Sequence, residues 1–325
     1  MMPPMFAKAH GGGQGLTAVA ALLGSILAGC GDGRECLTRD DCPQGQICVM
    51  GECRPEATKD AGSDGGGQDS GLPDAGSPDG SLPDGGHPDA GGCQYVDDGV
   101  INRQELVIEV GLGATYRVNQ TSPVAVDLVG QMSGGEPLWD FTSSTSPDRS
   151  VVDELLPVAG TWFASDFPDA TYSALIDEST GTLGVYRVTP DAVSMLGIVS
   201  QEENKTILTY DPPVDLMRFP IELGDSYIVE TTSSGYYNWT MTTLEETYEL
   251  TVDARGRVVV PAGSFHALRL RTDFTQHIPY TMIWVERIIY VWVTECFGVV
   301  ARVRSEDDET EPLFTSAAEL RRMTL

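Results

Sequence analysis

The sequence has 325 residues and a formal net charge of −28 at pH 7, with 48 acidic side chains against 20 basic ones. A chain this acidic is poorly suited to hold nucleic acid by charge, so we expect no nucleic-acid partner. The composition changes sharply along the chain, and these changes predict four segments: residues 1–29, 30–53, 54–92 and 93–325.

The first segment ends in an apolar stretch from Leu16 to Gly29. As a helix it would cover about 21 Å, too short to cross a hydrocarbon core of about 30 Å but typical of a secretory signal peptide. The residues Leu27-Ala28-Gly29-Cys30 resemble the lipobox of bacterial lipoproteins. This resemblance implies cleavage before Cys30 and acylation of its thiol, which would anchor the chain in a membrane. The alternative is an ordinary signal peptide whose Cys30 forms a disulfide.

The residue after Cys30 bears on which membrane holds the anchor. In some Gram-negative lipoproteins, aspartate at that position retains the protein at the inner membrane, and here it is Gly31. The resemblance therefore implies the outer membrane, with the periplasmic or the external side left open.

Residues 30–53 contain Cys36, Cys42, Cys48 and Cys53 and almost no apolar side chains. An even number of cysteines in an oxidising, exported setting indicates disulfides. Their spacing does not fit a zinc site, and no histidine is nearby. We therefore predict a two-disulfide module, for which three connectivities are open. The stretch is similar to short cysteine-rich modules in myxobacterial lipoproteins, a resemblance that implies no activity.

Residues 54–92 are dominated by Gly, Asp, Pro, Ser and Ala. Residues 71–90 divide into four pentads, GLPDA, GSPDG, SLPDG and GHPDA. Aspartates at a five-residue step cannot converge on one calcium ion as those of an EF-hand loop do, so we expect no metal site. The composition predicts a disordered linker that lets the following domain reach away from a membrane.

Residues 93–325 hold nearly all the aromatic residues, and their pattern predicts an all-β domain. In the segment ETYELTVD, Tyr248, Leu250 and Val252 alternate with polar residues, which is typical of an antiparallel strand with one wet face. We predict an antiparallel, strongly curved sheet or half-open barrel of ten or more strands, with a hairpin turn at residues 254–257. Residues 148–156 and the segment TSAAELRR near the end are the only ones with a helical pattern.

The two remaining cysteines, Cys93 and Cys296, open this domain and lie near its end. Because an exported protein rarely carries an exposed free thiol, their even number predicts that they pair. A free thiol is the alternative.

Two stretches of this domain, GRVVVPAGSFHALRLRT and YVWVTECFGVVARVRSEDD, resemble uncharacterised bacterial exported β-proteins of the DUF3108-like group. They are more remotely similar to the half-barrel of lipoprotein carriers of the LolA/LolB type. The shared features are structural: Gly256 for a turn, Pro261 to Gly263 for a bend and Phe265 for the core. The resemblance implies a fold rather than an activity.

No His-Glu-x-x-His, Gly-x-Ser-x-Gly or Gly-Lys-Ser/Thr motif occurs in the sequence, so we predict no catalytic residue, metal or cofactor. We expect a non-enzymatic binding or scaffolding protein of the cell envelope. The aromatic residues suggest one alternative, a lipid or lipoprotein carrier with an apolar cavity, and an unrecognised hydrolase is another. Partners would then be lipid or an envelope protein. The predicted ligand-contact residues are Trp139, Trp162, Trp239, Trp284, Trp292 and Tyr290.

Overall fold

A computed structural model describes residues 46–49, 52–55, 93, 95–120 and 123–324, and the chain divides into two units between residues 85 and 86. In the first unit, β1 (Gln46–Val49) and β2 (Glu52–Pro55) form an antiparallel hairpin in which Cys48 pairs with Cys53 along the backbone ladder. The predicted signal peptide, Cys30, Cys36, Cys42 and residues 56–92 of the linker lie outside the described residues. The lipidation and the disulfides of the module stay predictions.

Strands account for almost all the regular secondary structure of the second unit, and its described residues contain no α-helix, only a 3-10 helix at Arg103–Glu105. The prediction of an all-β domain is confirmed. Its strands are β3 (Val100–Ile101), β4 (Gly113–Asn119), β5 (Val124–Ala125), β6 (Gln131–Ser133), β7 (Glu136–Asp140), β8 (Arg149–Glu154), β9 (Tyr172–Asp177), β10 (Thr182–Val188), β11 (Ala192–Ser200), β12 (Ile207–Arg218), β13 (Ile221–Glu222), β14 (Ser226–Tyr237), β15 (Thr240–Val260), β16 (Gly263–His277), β17 (Trp284–Thr294), β18 (Gly298–Ser305) and β19 (Ser316–Thr324).

The main sheet runs in the order β8-β4-β19-β18-β17-β16-β15-β14-β12-β11-β10-β9. Every neighbouring pair on this path is antiparallel, whereas β7 joins β15 in parallel. The two ends of the path meet next to β8 and β9, where Leu156 and Ser173 exchange two backbone hydrogen bonds of 2.8 and 2.9 Å. The sheet is therefore a nearly closed barrel, and the prediction of a strongly curved sheet is confirmed.

Residues 254–257 do not form the predicted turn, because β15 continues through them after a β-bulge that follows Val252. A Cβ on Gly256 would lie 2.3 Å from the carbonyl oxygen of Pro137 and 2.9 Å from the ring of Trp139. Gly256 is thus required by the close approach of β7, not by a turn. The two segments with a helical pattern are also strands, β8 and β19.

The second unit contains several clusters of buried apolar side chains. Rings from five strands form one cluster in which Tyr172 stacks on Tyr186 with centroids 4.9 Å apart, and Tyr248 contacts Phe274 at 5.0 Å. An apolar pocket beside Tyr227 encloses only about 10 Å³, roughly the space that a single water molecule needs. This pocket leaves little room for a ligand.

A network of charged side chains is buried beside β18 and β19. The Nε atoms of Arg302, Arg304 and Arg321 lie 3.7, 3.9 and 3.6 Å from carboxylate oxygens of Glu319, which is 2% exposed. Arg321 also pairs with Asp153 on β8. Burial acts to raise the pKa of Glu319, but the three guanidinium groups together hold that pKa below its usual value.

The predicted pairing of Cys93 with Cys296 is confirmed by a disulfide that joins residues 203 positions apart. The segment after Cys93 is held by further contacts. The carboxylate of Glu295 accepts hydrogen bonds from the backbone N–H groups of Val96 and Asp97, at 2.5 and 3.0 Å. The start of the domain is therefore tied to the turn between β17 and β18.

Candidate functional site

Three of the six predicted ligand-contact residues, Trp139, Trp292 and Tyr290, are core residues with almost no exposed surface. The rings of Trp139 and Trp292 meet edge to face with centroids 5.6 Å apart. Trp139 Nε1 donates a hydrogen bond of 3.0 Å to the carbonyl oxygen of Leu128, and the Tyr290 hydroxyl donates one of 2.7 Å to Pro312. These three rings are therefore part of the packed core and do not lie on the surface of the domain.

Trp162 is half-buried and lies on the segment between β8 and β9. Its ring packs edge to face against Phe163 at 5.5 Å, and both belong to an apolar cluster with residues of β10 and β11. Trp162 thus helps to cover the sheet and lies apart from the other predicted residues.

Trp239 and Trp284, the last two predicted residues, are 61% and 56% exposed. Trp239 lies in the turn between β14 and β15, and Trp284 begins β17. One hairpin is formed by β14 and β15, and the other by β16 and β17. Glu245 of β15 is paired with His277 of β16, which is paired with Trp284 of β17, so both hairpins project from the same end of the sheet. Their exposed apolar side chains form what we call the hairpin surface: Tyr236, Trp239, Met241, Tyr280, Met282 and Trp284.

The turn that carries Trp239 is fixed by contacts of its backbone. Asn238 and Trp239 have φ values of 48° and 61°, as a two-residue hairpin turn requires. The backbone N–H of Trp239 donates to the carbonyl oxygen of Lys205 at 2.8 Å, and that of Asn238 donates to Thr206 Oγ1 at 3.2 Å. The ammonium of Lys205 lies 5.6 Å from the Trp239 ring centroid. These contacts hold the indole at the surface.

His277 connects the second hairpin to β15. Its Nδ1 lies 2.9 Å from Glu245 Oε2, its Nε2 lies 3.1 Å from the carbonyl oxygen of Thr281, and Trp284 stacks on its ring at 4.1 Å. Both nitrogens face acceptors, so the doubly protonated imidazolium can donate to both. The hydrogen bond with Glu245 and then that with Thr281 raise the pKa of His277 above its usual 6.5.

The hairpin surface exposes several apolar side chains on adjacent hairpins, which is unusual for a domain with so many charged residues. Met241 and Met282 are 76% and 94% exposed, and Tyr280 is fully exposed. Residues 231–244 and 278–285 contain no Asp, Glu, Lys or Arg. Single exposed apolar residues need no explanation, but a group of them on adjacent elements indicates an interaction site.

The pKa of His277 gives a testable pH dependence. We expect its imidazole resonances to titrate with a midpoint above 6.5 in the full-length protein, and Glu245→Gln to move this midpoint downwards, because Glu245 is the main stabilising partner of the imidazolium. The contribution of this interaction to stability is complete below pH 6.5 and is lost as the pH rises through the raised pKa.

NMR titration with the His277→Gln variant for assignment measures this midpoint. Glu249→Gln is the matched control, because Glu249 is exposed on the same strand and pairs along the ladder with Ile228 and Asp273 rather than with His277. A wild-type midpoint at or below 6.5 would contradict the described geometry.

The other titratable clusters do not form an evident chemical site. His266 Nδ1 lies 3.7 Å from Glu136 and 3.9 Å from Asp97, and Asp97 also pairs with Arg255 at 3.3 Å. Within the described residues, no group of three His, Cys, Asp or Glu side chains could hold a metal ion. No described helix is long and apolar enough to span a membrane.

No protein-family model matches the sequence, and no curated protein matches it significantly. One similar solved structure is from Bacteroides fragilis and is provisionally described as an exported protein with a YmcC-like fold; it is 11% identical, with a TM-score of 0.34, over 66% of this chain and 94% of that chain. Another, provisionally described as a lipoprotein from Parabacteroides distasonis, is 8% identical, with a TM-score of 0.31, over 66% and 95%. Likeness at this level carries no argument about function, and the DUF3108-like resemblance stays a prediction.

Proposed function

We propose that this chain is an exported, lipid-anchored protein of the bacterial outer membrane whose β-domain binds a protein partner through the hairpin surface. The lipobox residues ending in Cys30 support the anchor, and the composition of residues 54–92 supports a spacer between anchor and domain. In this account the domain is a binding module and catalyses no reaction.

One observation carries the proposal: the tips of both hairpins expose an aromatic side chain from a left-handed backbone position. Trp239 and Tyr280 have φ values of 61° and 64°. This conformation costs a bulky residue about 1–2 kcal/mol, whereas glycine adopts it freely. Because the two side chains are mostly exposed, burial within the domain does little to offset that cost. Strain of this kind is typical of functional sites.

The composition of the surface favours a protein partner. Tyr, Trp and Met are enriched in protein interfaces, and charged residues are depleted at their centres. The hairpins are extensions of a continuous ladder, and they need little ordering when a partner binds.

The lipid-carrier alternative receives less support from two pockets of the described domain. Sites for small ligands commonly enclose about 300–1,000 Å³ and have mainly apolar walls. The pocket beside Tyr227 is far smaller, and the larger one, of about 630 Å³, is open and lined by polar residues such as Arg117, Thr145 and Arg149. Neither suits an acyl chain.

Oxidation of exposed methionines by hydroxyl radicals, read by mass spectrometry, tests the proposal. In isolated cell envelopes we expect Met241 and Met282 to be protected relative to the purified full-length protein. Met132 is the internal control, because it is 72% exposed and lies on β6, whose partner β7 joins the opposite end of β15. Loss of protection after protease treatment of the envelopes would identify a protein as the covering partner.

A further inference from the structure

The charges around the hairpin surface define the chemistry of its partner. The residues from 94 to 325 include 35 acidic and 15 basic side chains, a net charge of −20. The uncharged hairpin ends therefore form an apolar surface within a strongly acidic domain. A partner that binds there must be compatible with the negative electrostatic potential of the domain.

Carboxylates share the outward face of the sheet with the apolar side chains, further along the same strands. Side chains alternate along a strand, so Glu286 shares the face of Trp284 and Glu249 shares that of Met241. Glu230 lies opposite Thr247 on the same face of β14. All three carboxylates are exposed and have no ion-pair partner among the described residues.

The opposite side of the surface is acidic as well. Glu202 and Glu203 are exposed in the loop on which the Trp239 turn rests, and Lys205 of that loop is paired with Glu202 at 3.1 Å. The other basic group at the surface, His277, is engaged by Glu245. The rim thus offers several free negative charges and no free positive charge in the described part of the chain.

We propose that the hairpin surface binds a cationic amphipathic protein segment, with lysine or arginine side chains that meet the carboxylate rim and apolar side chains that pack on Trp239, Met241 and Trp284. This inference rests on the proposed function and adds the chemistry of the partner. An apolar centre with a charged rim is the ordinary anatomy of a protein interface, and complementary charges increase the rate of association. The same rim disfavours anionic lipid surfaces.

Binding of model peptides to the purified full-length protein tests this inference. The probes are a short fluorescent peptide of alternating leucine and lysine and a matched peptide of alternating leucine and glutamate, followed by fluorescence anisotropy. We expect the lysine peptide to bind more tightly than the glutamate peptide, and its affinity to fall as salt is raised. The double variant Met241→Ser/Trp284→Ala should weaken binding of the lysine peptide about tenfold, the usual effect of losing one strong interface contact.

Matched variants separate the contributions of charge and of apolar contact. Met132→Ser removes an equally exposed methionine from a distant strand and should leave the affinity unchanged. Glu286→Gln with Glu230→Gln should weaken binding of the lysine peptide, whereas Glu154→Gln, at an exposed carboxylate on β8, should not. Because all these positions are exposed, circular dichroism should show an unchanged fold.

Three outcomes would overturn the inference. Equal binding of both peptides, or of neither, would exclude recognition of a cationic segment. Binding of phosphatidylcholine vesicles without the lysine peptide would identify a bilayer as the occupant. Dimerisation in sedimentation experiments that the hairpin variants abolish would identify a second copy. If a peptide result is negative but Met241 and Met282 are still protected by protein in envelopes, the proposed function stands and only the cationic partner is rejected.

Discussion

Replacing Glu319 by leucine is expected to lower the free energy of unfolding by about 3–5 kcal/mol, the usual cost of breaking a buried ion pair from one side. The variant would leave Arg302 and Arg304 without the carboxylate that lies within 4 Å of them, and Arg321 with Asp153 alone. The positive charges would then repel one another in a poorly solvated place. Urea denaturation of the full-length protein, followed by tryptophan fluorescence, measures the change.

The same network predicts how stability depends on acid. The pKa of Glu319 lies below its usual 4.5 in the folded protein, so its contribution is complete above pH 4.5 and is lost as the pH falls through the lowered pKa. Glu311→Gln is the control, because that side chain is exposed; it should change stability by no more than about 0.5 kcal/mol. Equal effects of the two substitutions would show that Glu319 is not the centre of a buried network.

The second large effect concerns the disulfide between Cys93 and Cys296. Because the bond closes a loop with a sequence separation of 203, removing it should lower the free energy of unfolding by about 5 kcal/mol in the chain-entropy model. The double variant Cys93→Ala/Cys296→Ala and the reduced wild-type domain should unfold at the same urea concentration, well below that of the oxidised protein.

The hydrogen bonds of Glu295 to Val96 and Asp97 persist in that variant and hold the start of the domain in place. We therefore expect a loss of stability without a change of fold. Coincident unfolding of the oxidised and reduced proteins would contradict this account of the crosslink.

The local sequence pattern predicted most of the strands correctly, but it failed at Gly256 and at β19. Tyr248, Leu250 and Val252 are buried along β15 as their alternation predicted. Gly256 was wrongly interpreted as a turn residue. Glycine is required there because β7 approaches closely, and the sequence around Gly256 does not reveal that contact. β19 was misread as helical because Glu319 and Arg321 look like surface charges, and only their partners on β18 and β8 explain their burial.

The candidate site was predicted only in part. Residue type alone could not separate the packed Trp139 and Trp292 from the exposed Trp239 and Trp284, since all four lie among β-forming residues. A signal was nevertheless present in the sequence: residues 231–244 and 278–285 lack charged residues in a domain that is otherwise rich in them. What the sequence could not show is the register that brings both segments to the same end of the sheet.

The most direct test of the account is the oxidation of Met132, Met241 and Met282 in isolated envelopes compared with the purified protein. All three are exposed by 72% or more in the structure, so the purified protein should oxidise at each of them. We expect slower oxidation of Met241 and Met282 in envelopes, with Met132 unchanged, and recovery of the purified rates after protease treatment. Equal oxidation of the three methionines in envelopes would contradict the central claim that the hairpin surface is covered by a protein partner.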